Sequence, residues 1–288
     1  MLMHEVIQQT GLTKKAIEYS CEQGLVSTTT LENGYREFDA EQVERLQRIS
    51  VLRKLGVSTG EIRAVLDNTT GQVLQKLSVQ KALQMRREAH KEALLRQLSA
   101  GKSFGEVGEA LVAIEAGASI AQRLLDAFPG YYGRVIGLHF ARFLNQPIKT
   151  ETQQAAYERV VTFLDNIPSF EMPVELQEYL EENTKHIGTE GIISLLEATK
   201  KATEDPDAFL AENKEALEAY LAFKQTDAYK NSPAFALQSY LQAFNSTSGY
   251  YDVFLPALKE LSPAYAQYCK QLEVANERVL AQYPEAAQ

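Results

Sequence analysis

Apolar residues recur at helical spacing along almost the whole chain, and this pattern predicts a mainly α fold. Near the start the helical patterns are short, at residues 4–10, 13–23, 40–54 and 59–67. Residues that favour helix ends stand at their boundaries. Thr13 and the Ser58–Glu61 capping box start two of the helices, and Gly24 and Gly56 end two. The clear boundaries predict a small helical domain at the N-terminus.

A different pattern interrupts these helices between residues 25 and 38, where the sequence reads LVSTTTLENGYREF. This stretch is rich in β-branched residues, and Asn33-Gly34 is the pair that best suits a two-residue hairpin turn. Two helices joined by a turn, a hairpin wing and two further helices predict a winged helix-turn-helix domain over residues 1–70. That layout is typical of proteins that place one helix in the major groove of DNA.

A longer helical pattern follows at residues 72–98, within a predicted separate segment 71–100. Its apolar stripe consists of Val73, Leu77, Leu83, Leu94 and Leu98. The polar residues Gln80, Arg87 and His90 interrupt the stripe, so two interpretations remain open. The helix either forms a coiled coil with a second copy of the chain or packs on the C-terminal region of its own chain.

The patterns from residue 101 to residue 288 are helical throughout and predict an all-α domain. All nine prolines lie at or beyond Pro129, where they separate helices. The predicted helices cover about residues 104–128, 131–145, 151–166, 173–187, 189–203, 206–226, 233–244, 250–260 and 263–282.

Charge divides the chain in a similar way. Residues 1–104 hold 15 basic and 12 acidic side chains, whereas residues 105–288 hold 14 and 26. Such an asymmetry indicates that the two parts have different partners.

Several kinds of site are not expected. Cys21 and Cys269 stand far apart, which is typical of a protein in a reducing cytoplasm without disulfides or zinc. The chain has no signal-peptide layout and no apolar run near the roughly 18 residues of a membrane span. His139 and His186 lack partners at metal-binding spacing, and no phosphate loop or catalytic motif is present. The sequence therefore predicts a cytoplasmic protein without membrane association, metal, cofactor or enzymatic activity.

The N-terminal residues resemble a known family. The run ENGYREFDAEQVERLQRISVLRKLGVSTGEI (32–62), with TGLT at 10–13, is similar to the DNA-binding domain of the MerR family of bacterial transcription regulators. The resemblance covers residues 3–67. It implies a homodimer that pairs antiparallel through the helix at 72–98. It also implies binding to double-stranded promoter DNA, which the protein distorts to realign RNA polymerase when an effector binds.

The resemblance implies DNA contacts only where matching residue types are present. The predicted DNA-binding residues are Thr13, Lys14, Lys15, Glu18, Tyr19, Tyr35 and Arg36. The family usually carries an Arg-Tyr-Tyr run in the recognition helix, where this chain has Glu18, Tyr19 and Ser20. An arginine is also usual in the wing at the position of Thr30. We therefore expect each protomer to bind DNA with low affinity.

Glu18 has three interpretations. It can accept a hydrogen bond from a cytosine amino group in the major groove. It can pair with Lys14 or Lys15, an interaction worth only about 0.2–0.5 kcal/mol that partly neutralises them. The third interpretation is a domain that has drifted toward weaker DNA binding. The ion pair is the favoured interpretation.

Aromatic residues are concentrated in two related segments, AFPGYYGRVIGLHFARF (127–143) and AFNSTSGYYDVF (243–254). Tyrosine offers an apolar ring and a polar hydroxyl, which suits an apolar or aromatic effector. The predicted ligand-binding residues are Tyr131, Tyr132, Phe140, Tyr250 and Tyr251. The alternative is that these rings only fill the core of a chain that has no tryptophan.

The leading functional hypothesis is a dimeric transcription regulator that senses a small molecule through its C-terminal helices. The family's metal-sensing members place cysteines just beyond the dimerisation helix, where this chain has SAGKSFGEVGEA, so metal sensing is not expected. One alternative is a ligand-sequestering or partner-binding protein with a weakened DNA-binding module. Another is an enzyme fused to a regulator, which no motif supports.

Overall fold

A computed structural model describes residues 1–30, 36–68, 71–128 and 130–287 of the chain. The chain forms two compact units, Met1–Leu74 and the remainder from Gln75 onward. Most described residues of both units are helical, which confirms the predicted mainly α fold. The finer division at residues 70 and 100 remains a prediction.

The first unit has the predicted order of elements. They are α1 (Met3–Thr10), α2 (Lys14–Glu22), β1 (Thr29–Thr30), β2 (Arg36–Glu37), α3 (Ala40–Lys54) and α4 (Thr59–Asp67). The two strands are antiparallel, with Thr29 opposite Glu37 and Thr30 opposite Arg36. This ladder is the predicted wing, and its Asn33-Gly34 turn lies outside the described residues.

Side-chain caps start three of these helices, and those of Thr13 and Ser58 are the two predicted from the sequence. The side chains of Thr13, Asp39 and Ser58 accept hydrogen bonds from backbone amides in the first turns of α2, α3 and α4. Each cap satisfies an amide that has no partner inside its helix. The helix boundaries in this unit therefore follow from local chemistry.

A small apolar core holds α2 against the rest of the first unit. Val6, Ile17, Phe38, Leu46 and Ile49 are fully buried, and they come from both sides of the wing. Two arginines reinforce this arrangement, because Arg45 donates to the Leu25 carbonyl and Arg63 to the Gln23 carbonyl. These bonds attach the end of α2 to α3 and α4.

The second unit is built from helices. Its elements begin within α5 (Gln72–Ser99) and continue through α6 (Phe104–Ala127), α7 (Gly130–Ala141), α8 (Glu151–Asn166), α9 (Val174–Thr184), α10 (Thr189–Glu204), α11 (Pro206–Glu212), α12 (Lys214–Lys224), α13 (Asp227–Lys230), α14 (Pro233–Thr247), a π-helix (Tyr250–Phe254), α15 (Leu255–Leu261), α16 (Pro263–Gln282) and a 3-10 helix (Pro284–Ala287).

Several helix ends differ from the predicted ones, α13 and the final 3-10 helix lie in no predicted helix, and two of the predicted helices change their course. The pattern at 206–226 forms two helices, because α11 ends at Asn213, whose side chain turns back to the Phe209 carbonyl. The pattern at 250–260 begins as a π-helix after Gly249, which has a φ of 84°. Neither feature changes the spacing of apolar residues, so periodicity does not reveal it.

Part of the apolar stripe of α5 packs within the second unit. Leu83 contacts a cluster of Val79, Leu125, Leu138, Ile192 and Leu196. Leu94 and Leu98 contact Val107 and Ile114 of α6. The sequence left two interpretations of this stripe open. These three leucines pack against other helices of their own chain, as the second interpretation proposed. Any pairing with a second copy must use another side of α5.

Aromatic rings form the main core of the second unit. Phe128, Phe140 and Phe254 are at most 2% exposed and lie among α7, α8, α15 and α16. Phe254 contacts Phe140 edge to face and stacks on Phe163, each with ring centroids 5.2 Å apart. These preferred ring geometries add to the stabilisation that burial gives.

His139 of α7 lies among aromatic rings on the same core. Its ring centroid is 4.9 Å from that of Phe140 and 5.5 Å from those of Phe143 and Tyr268. Arg142 Nη2 lies 2.9 Å from His139 Nδ1. Burial, together with the Arg142 charge, lowers the pKa of His139 from 6.5 to about 4. The imidazole is therefore neutral at pH 7, and its Nδ1 accepts from the guanidinium.

We expect the free energy of unfolding to fall as the pH decreases from 6.5 to about 4. The unfolded chain takes up a proton on His139 in this range, whereas the folded chain does not. The loss should reach up to about 3 kcal/mol. Urea unfolding at several pH values, followed by circular dichroism, measures it.

His139→Gln should flatten this pH dependence, because glutamine keeps an acceptor for Arg142 but does not titrate. His186→Gln, at an exposed position, should leave it unchanged. An equal slope in the wild type and in His139→Gln would contradict the assignment.

Candidate nucleic-acid interface and ligand site

The helix α2 presents a polar face to solvent. Thr13 caps it by accepting from the Ala16 amide at 3.2 Å, so this predicted DNA-binding residue also fixes the start of the helix. Ile17 and Ser20 point inward and are buried, whereas Lys14, Lys15 and Tyr19 are exposed. The buried face thus holds the exposed side chains in a defined direction.

Glu18 forms the ion pair that the sequence favoured. Its carboxylate lies 3.8 Å from Lys14 Nζ, and the two side chains are 40% and 68% exposed. An exposed pair of this kind adds little stability. Its electrostatic effect is more important, because it offsets one of the two lysine charges that begin the helix. Within the described residues, Lys15 has no such acidic partner.

Arg53 belongs to this surface, although the sequence reasoning did not select it. Its guanidinium lies over the Tyr19 ring, 5.9 Å from the ring centroid. Arg53 and Lys54 stand in the last turn of α3, and both are exposed. The run RKLG after a helical pattern contains a signal for this pair, because basic residues favour helix C-termini. The contact places the Arg53 guanidinium, a positive group from α3, beside α2.

Of the two DNA-binding residues predicted in the wing, only Arg36 lies within the described residues. Tyr35 lies outside the described residues. Arg36 on β2 is half-buried and interacts with the thiol of Cys21 on α2, while burial raises the pKa of that thiol. Its Nη1 is buried and has no hydrogen-bond partner among the described residues. Arg36 therefore connects the wing to α2 rather than extending freely into solvent.

Three of the five predicted ligand-binding residues lie together in the second unit. The rings of Tyr250 and Tyr251 meet edge to face, 5.5 Å apart. Tyr132 is close enough to interact electrostatically with both hydroxyl groups. Burial raises the pKa of Tyr132, and it raises that of Tyr250 more strongly, so both hydroxyls stay neutral at pH 7. The fourth residue, Phe140, is part of the core, as the alternative interpretation proposed.

Tyr131 does not join this group. It packs at the edge of the cluster that includes Leu138 and Ile192, on another side of α7. The guanidinium of Arg134 lies 5.4 Å from its ring centroid. Arg134 is 3% exposed and donates to the Ile187 carbonyl, and burial lowers its pKa. Consecutive helical residues point about 100° apart, so Tyr131 and Tyr132 face different neighbours.

Asn245 is a further residue of the tyrosine group that the sequence reasoning missed. Its side-chain amide hydrogen-bonds Tyr132, and the residue is 9% exposed. Its position between Phe244 and the Gly249-Tyr250-Tyr251 segment is the only signal in the sequence. Polar residues in such segments are usually solvent-exposed, so sequence reasoning had no ground to select it.

A groove of about 860 Å³ lies beside this group. Its walls come from α6 and from the segment that follows α8: Ser119, Gln122, Arg123, Asp126, Ala127, Leu164, Asp165, Ile167, Pro168, Ser169 and Phe170. None of the five predicted ligand-binding residues lines it. Its charged residues already have partners, because Arg123 pairs with Asp165 and Lys76 pairs with Asp126, both at 2.7 Å. The groove adjoins the tyrosines through Phe170, which stacks on Tyr132.

The described residues contain neither a metal-binding cluster nor a helix that could span a membrane. No group of three or more His, Cys, Asp or Glu side chains there is arranged to hold a metal ion. Among the helices of the same residues, none has both the length and the apolar character needed to cross a bilayer.

Comparison with known proteins locates a family match in the first unit. Residues 1–69 match the model of the MerR helix-turn-helix family of regulatory proteins. The match includes α1, α2, the wing, α3 and α4, and it confirms the resemblance seen in the sequence. No solved structure matches the chain.

Two known proteins are similar to part of the chain. The nodulation protein NolA of Bradyrhizobium elkanii is 30% identical over 103 residues, which cover 35% of this chain and 47% of that protein. The HTH-type transcriptional regulator CueR of Yersinia pestis is 36% identical over 67 residues, or 23% of this chain and 48% of CueR. The chain thus spans less than half the length of each of these relatives.

Glu18→Gln tests the electrostatic role of the ion pair. Removing the carboxylate frees Lys14 for a phosphate, so non-specific binding to a DNA duplex should tighten. The slope of log K against log salt should steepen by about one. Fluorescence anisotropy across a salt series measures both quantities.

Glu22→Gln is the matched control, because it removes the same charge from α2 at an exposed position. It should change the slope less than Glu18→Gln does. Equal slopes for the two variants would show that only the overall charge matters. Weaker binding by Glu18→Gln would instead indicate that Glu18 contacts a base directly.

Proposed function

We propose that this chain, whose residues 1–69 form a MerR-type helix-turn-helix domain, is a transcription regulator. It binds double-stranded promoter DNA as a homodimer, and a small molecule that binds the C-terminal helices controls its activity. The protein acts by binding rather than by catalysis. The predicted DNA-binding residues Lys14, Lys15 and Tyr19, together with Arg53, supply the contacts of α2 with DNA.

One observation carries this proposal. The first unit has a capped recognition helix with two exposed lysines, and a two-stranded wing stands beside it. Lysine ammonium groups bind phosphates, and an exposed tyrosine can contact the backbone or a base edge. Because Glu18 offsets part of the positive charge of α2, one protomer should bind DNA weakly. In a dimer, two recognition helices bind together and compensate for this low affinity.

Dimerisation is proposed to use the outward side of α5. Met85 and Leu95 on this helix are 73% and 66% exposed. Covering these two side chains with a second chain would remove apolar surface from water, which favours association. The resemblance implies an antiparallel pair of these helices.

The proposed mechanism couples ligand binding to DNA shape. The free energy of ligand binding favours one conformation of the dimer, and that conformation distorts the promoter so that RNA polymerase can engage it. No covalent step and no cofactor are required. The polymerase and the effector enter as partners through the resemblance to the family.

An alternative function is sequestration of a ligand or partner by a protein whose DNA-binding module is weakened. The Lys14–Glu18 ion pair supports this alternative, because it removes charge from the surface that would face phosphates. The acidic character of residues 105–288 also disfavours contact between those residues and DNA.

Selection of duplexes from a random pool separates the two functions. The purified full chain is incubated with the pool at near-physiological salt, and bound duplexes are sequenced. We expect an inverted repeat, because a two-fold dimer reads two related half-sites. The double variant Lys14→Ala with Lys15→Ala, a surface change, should lose this enrichment. A folded dimer that enriches no sequence would favour sequestration.

Substitution of the outward side of α5 tests the dimer. Met85→Glu combined with Leu95→Glu should weaken self-association by at least roughly a hundredfold, since two apolar side chains per protomer would lose their burial. Sedimentation velocity measures this change. Val274→Glu, at a position 51% exposed on α16, is the control and should stay dimeric. A wild type that sediments as a monomer would contradict the proposed dimer.

A further inference from the structure

The two tandem-tyrosine segments meet in the second unit. Gly130 and Gly249 precede the tyrosine pairs, and both adopt left-handed backbone conformations, with φ of 68° and 84°. Glycine adopts this conformation at little cost, so each segment can turn sharply into the following helix. Phe128 and Phe244, upstream of the two glycines, contact each other edge to face at 6.0 Å. The turn before α7 is thereby held against the end of α14.

An incompletely paired polar group lies at this junction. Asn245 is 9% exposed, and its side-chain amide donates toward Tyr132. Its Oδ1 atom is buried and accepts no hydrogen bond among the described residues. The Oγ atom of Ser248, one helical turn later, is also buried and without a partner there. Such groups are rare in folded proteins because their desolvation is not compensated.

Aromatic rings stack in pairs in the same core. Tyr132 stacks on Phe170 with centroids 5.6 Å apart, and Tyr250 stacks on Phe254 at 5.3 Å. Tyr251 lies at the rim and is 46% exposed. The segment that carries Tyr250 and Tyr251 is a π-helix, a conformation found often at functional sites. The arrangement therefore offers flat apolar walls and unused hydrogen-bonding capacity.

The surroundings indicate the charge of a suitable ligand. The groups that act electrostatically on Tyr132 and Tyr250 are Asn245, Tyr251, Tyr265 and Cys269, together with the two tyrosines themselves. No lysine, arginine, aspartate or glutamate is among them. A charged ligand would lose its hydration here without gaining an ion pair, so a neutral ligand is favoured.

We propose that Tyr132, Asn245, Ser248, Tyr250 and Tyr251 form a binding site for a neutral aromatic molecule that carries an N–H or O–H donor. The donor binds Asn245 Oδ1, and the ring lies against the tyrosines. Because Oδ1 is covered in the free protein, the half-exposed Tyr251 moves aside when the ligand enters. This inference rests on the proposed function, because it assigns the effector site of the regulator.

A pair of related probes tests the hydrogen bond. Indole has an N–H donor, and 1-methylindole has the same ring without it. The chain contains no tryptophan, so indole fluorescence reports binding without interference from the protein. We expect the full chain to bind indole about fivefold more tightly than 1-methylindole, the effect of one hydrogen bond. Equal affinities, or no binding of either probe at millimolar concentration, would overturn the proposal.

Asn245→Leu has a similar volume and lacks the acceptor. It should bind both probes with the affinity that the wild type has for 1-methylindole. Asn166→Leu, a control at an exposed site on α8, should keep the preference for indole. Retained preference in Asn245→Leu would refute the role of Asn245. If circular dichroism shows that Asn245→Leu does not fold, Tyr251→Ala provides the second test. This variant should bind indole and 1-methylindole more weakly than the wild type does, by the same factor for both.

The DNA selection on the same preparation separates this site from the proposed function. Sequence enrichment without discrimination between the indoles would reject the site and leave the regulator. Discrimination without enrichment would support a ligand-binding protein and reject the regulator.

Discussion

The second unit depends on the packing of three buried rings, those of Phe128, Phe140 and Phe254. The chain has no tryptophan, so phenylalanine and tyrosine supply the large apolar surface that joins helices distant in sequence. Phe128 contacts Tyr132 within α7, and also Phe170 and Phe244, which follow α7 in the chain. Because close-packed interiors leave little free volume, these contacts fix where the neighbouring polar groups stand.

One consequence of this packing is that two buried polar atoms lose their hydration without compensation, which costs free energy locally. Where the two glycine-tyrosine segments meet, Asn245 Oδ1 and Ser248 Oγ have no hydrogen-bond partner among the described residues. An apolar residue at Asn245 would avoid the desolvation of its carbonyl but would lose the hydrogen bond to Tyr132. Unpaired polar atoms inside an aromatic cluster are the expected state of a site whose ligand completes the pairing. The core and the proposed site are therefore parts of the same packing.

The first unit faces a different constraint, which is electrostatic. Its recognition helix carries two lysines, and an ion pair with Glu18 offsets one of them. The guanidinium of Arg53 on α3 lies over the Tyr19 ring and adds a positive charge to the same surface. For the DNA binding that we propose, phosphate contacts dominate the affinity, so this balance of charges would give each protomer only a modest affinity.

The sequence by itself determined the first unit and the ion pair at Glu18. Helix caps, glycine stops and the spacing between Lys14 and Glu18 act over a few residues, so the local order decides them. Only the tertiary structure decided which surfaces cover each helix face. It separated Tyr131 from Tyr132, covered Leu83 and Leu94 within the chain, and buried Asn245. Helical periodicity shows that a stripe will be covered, but the covering residues come from distant parts of the chain.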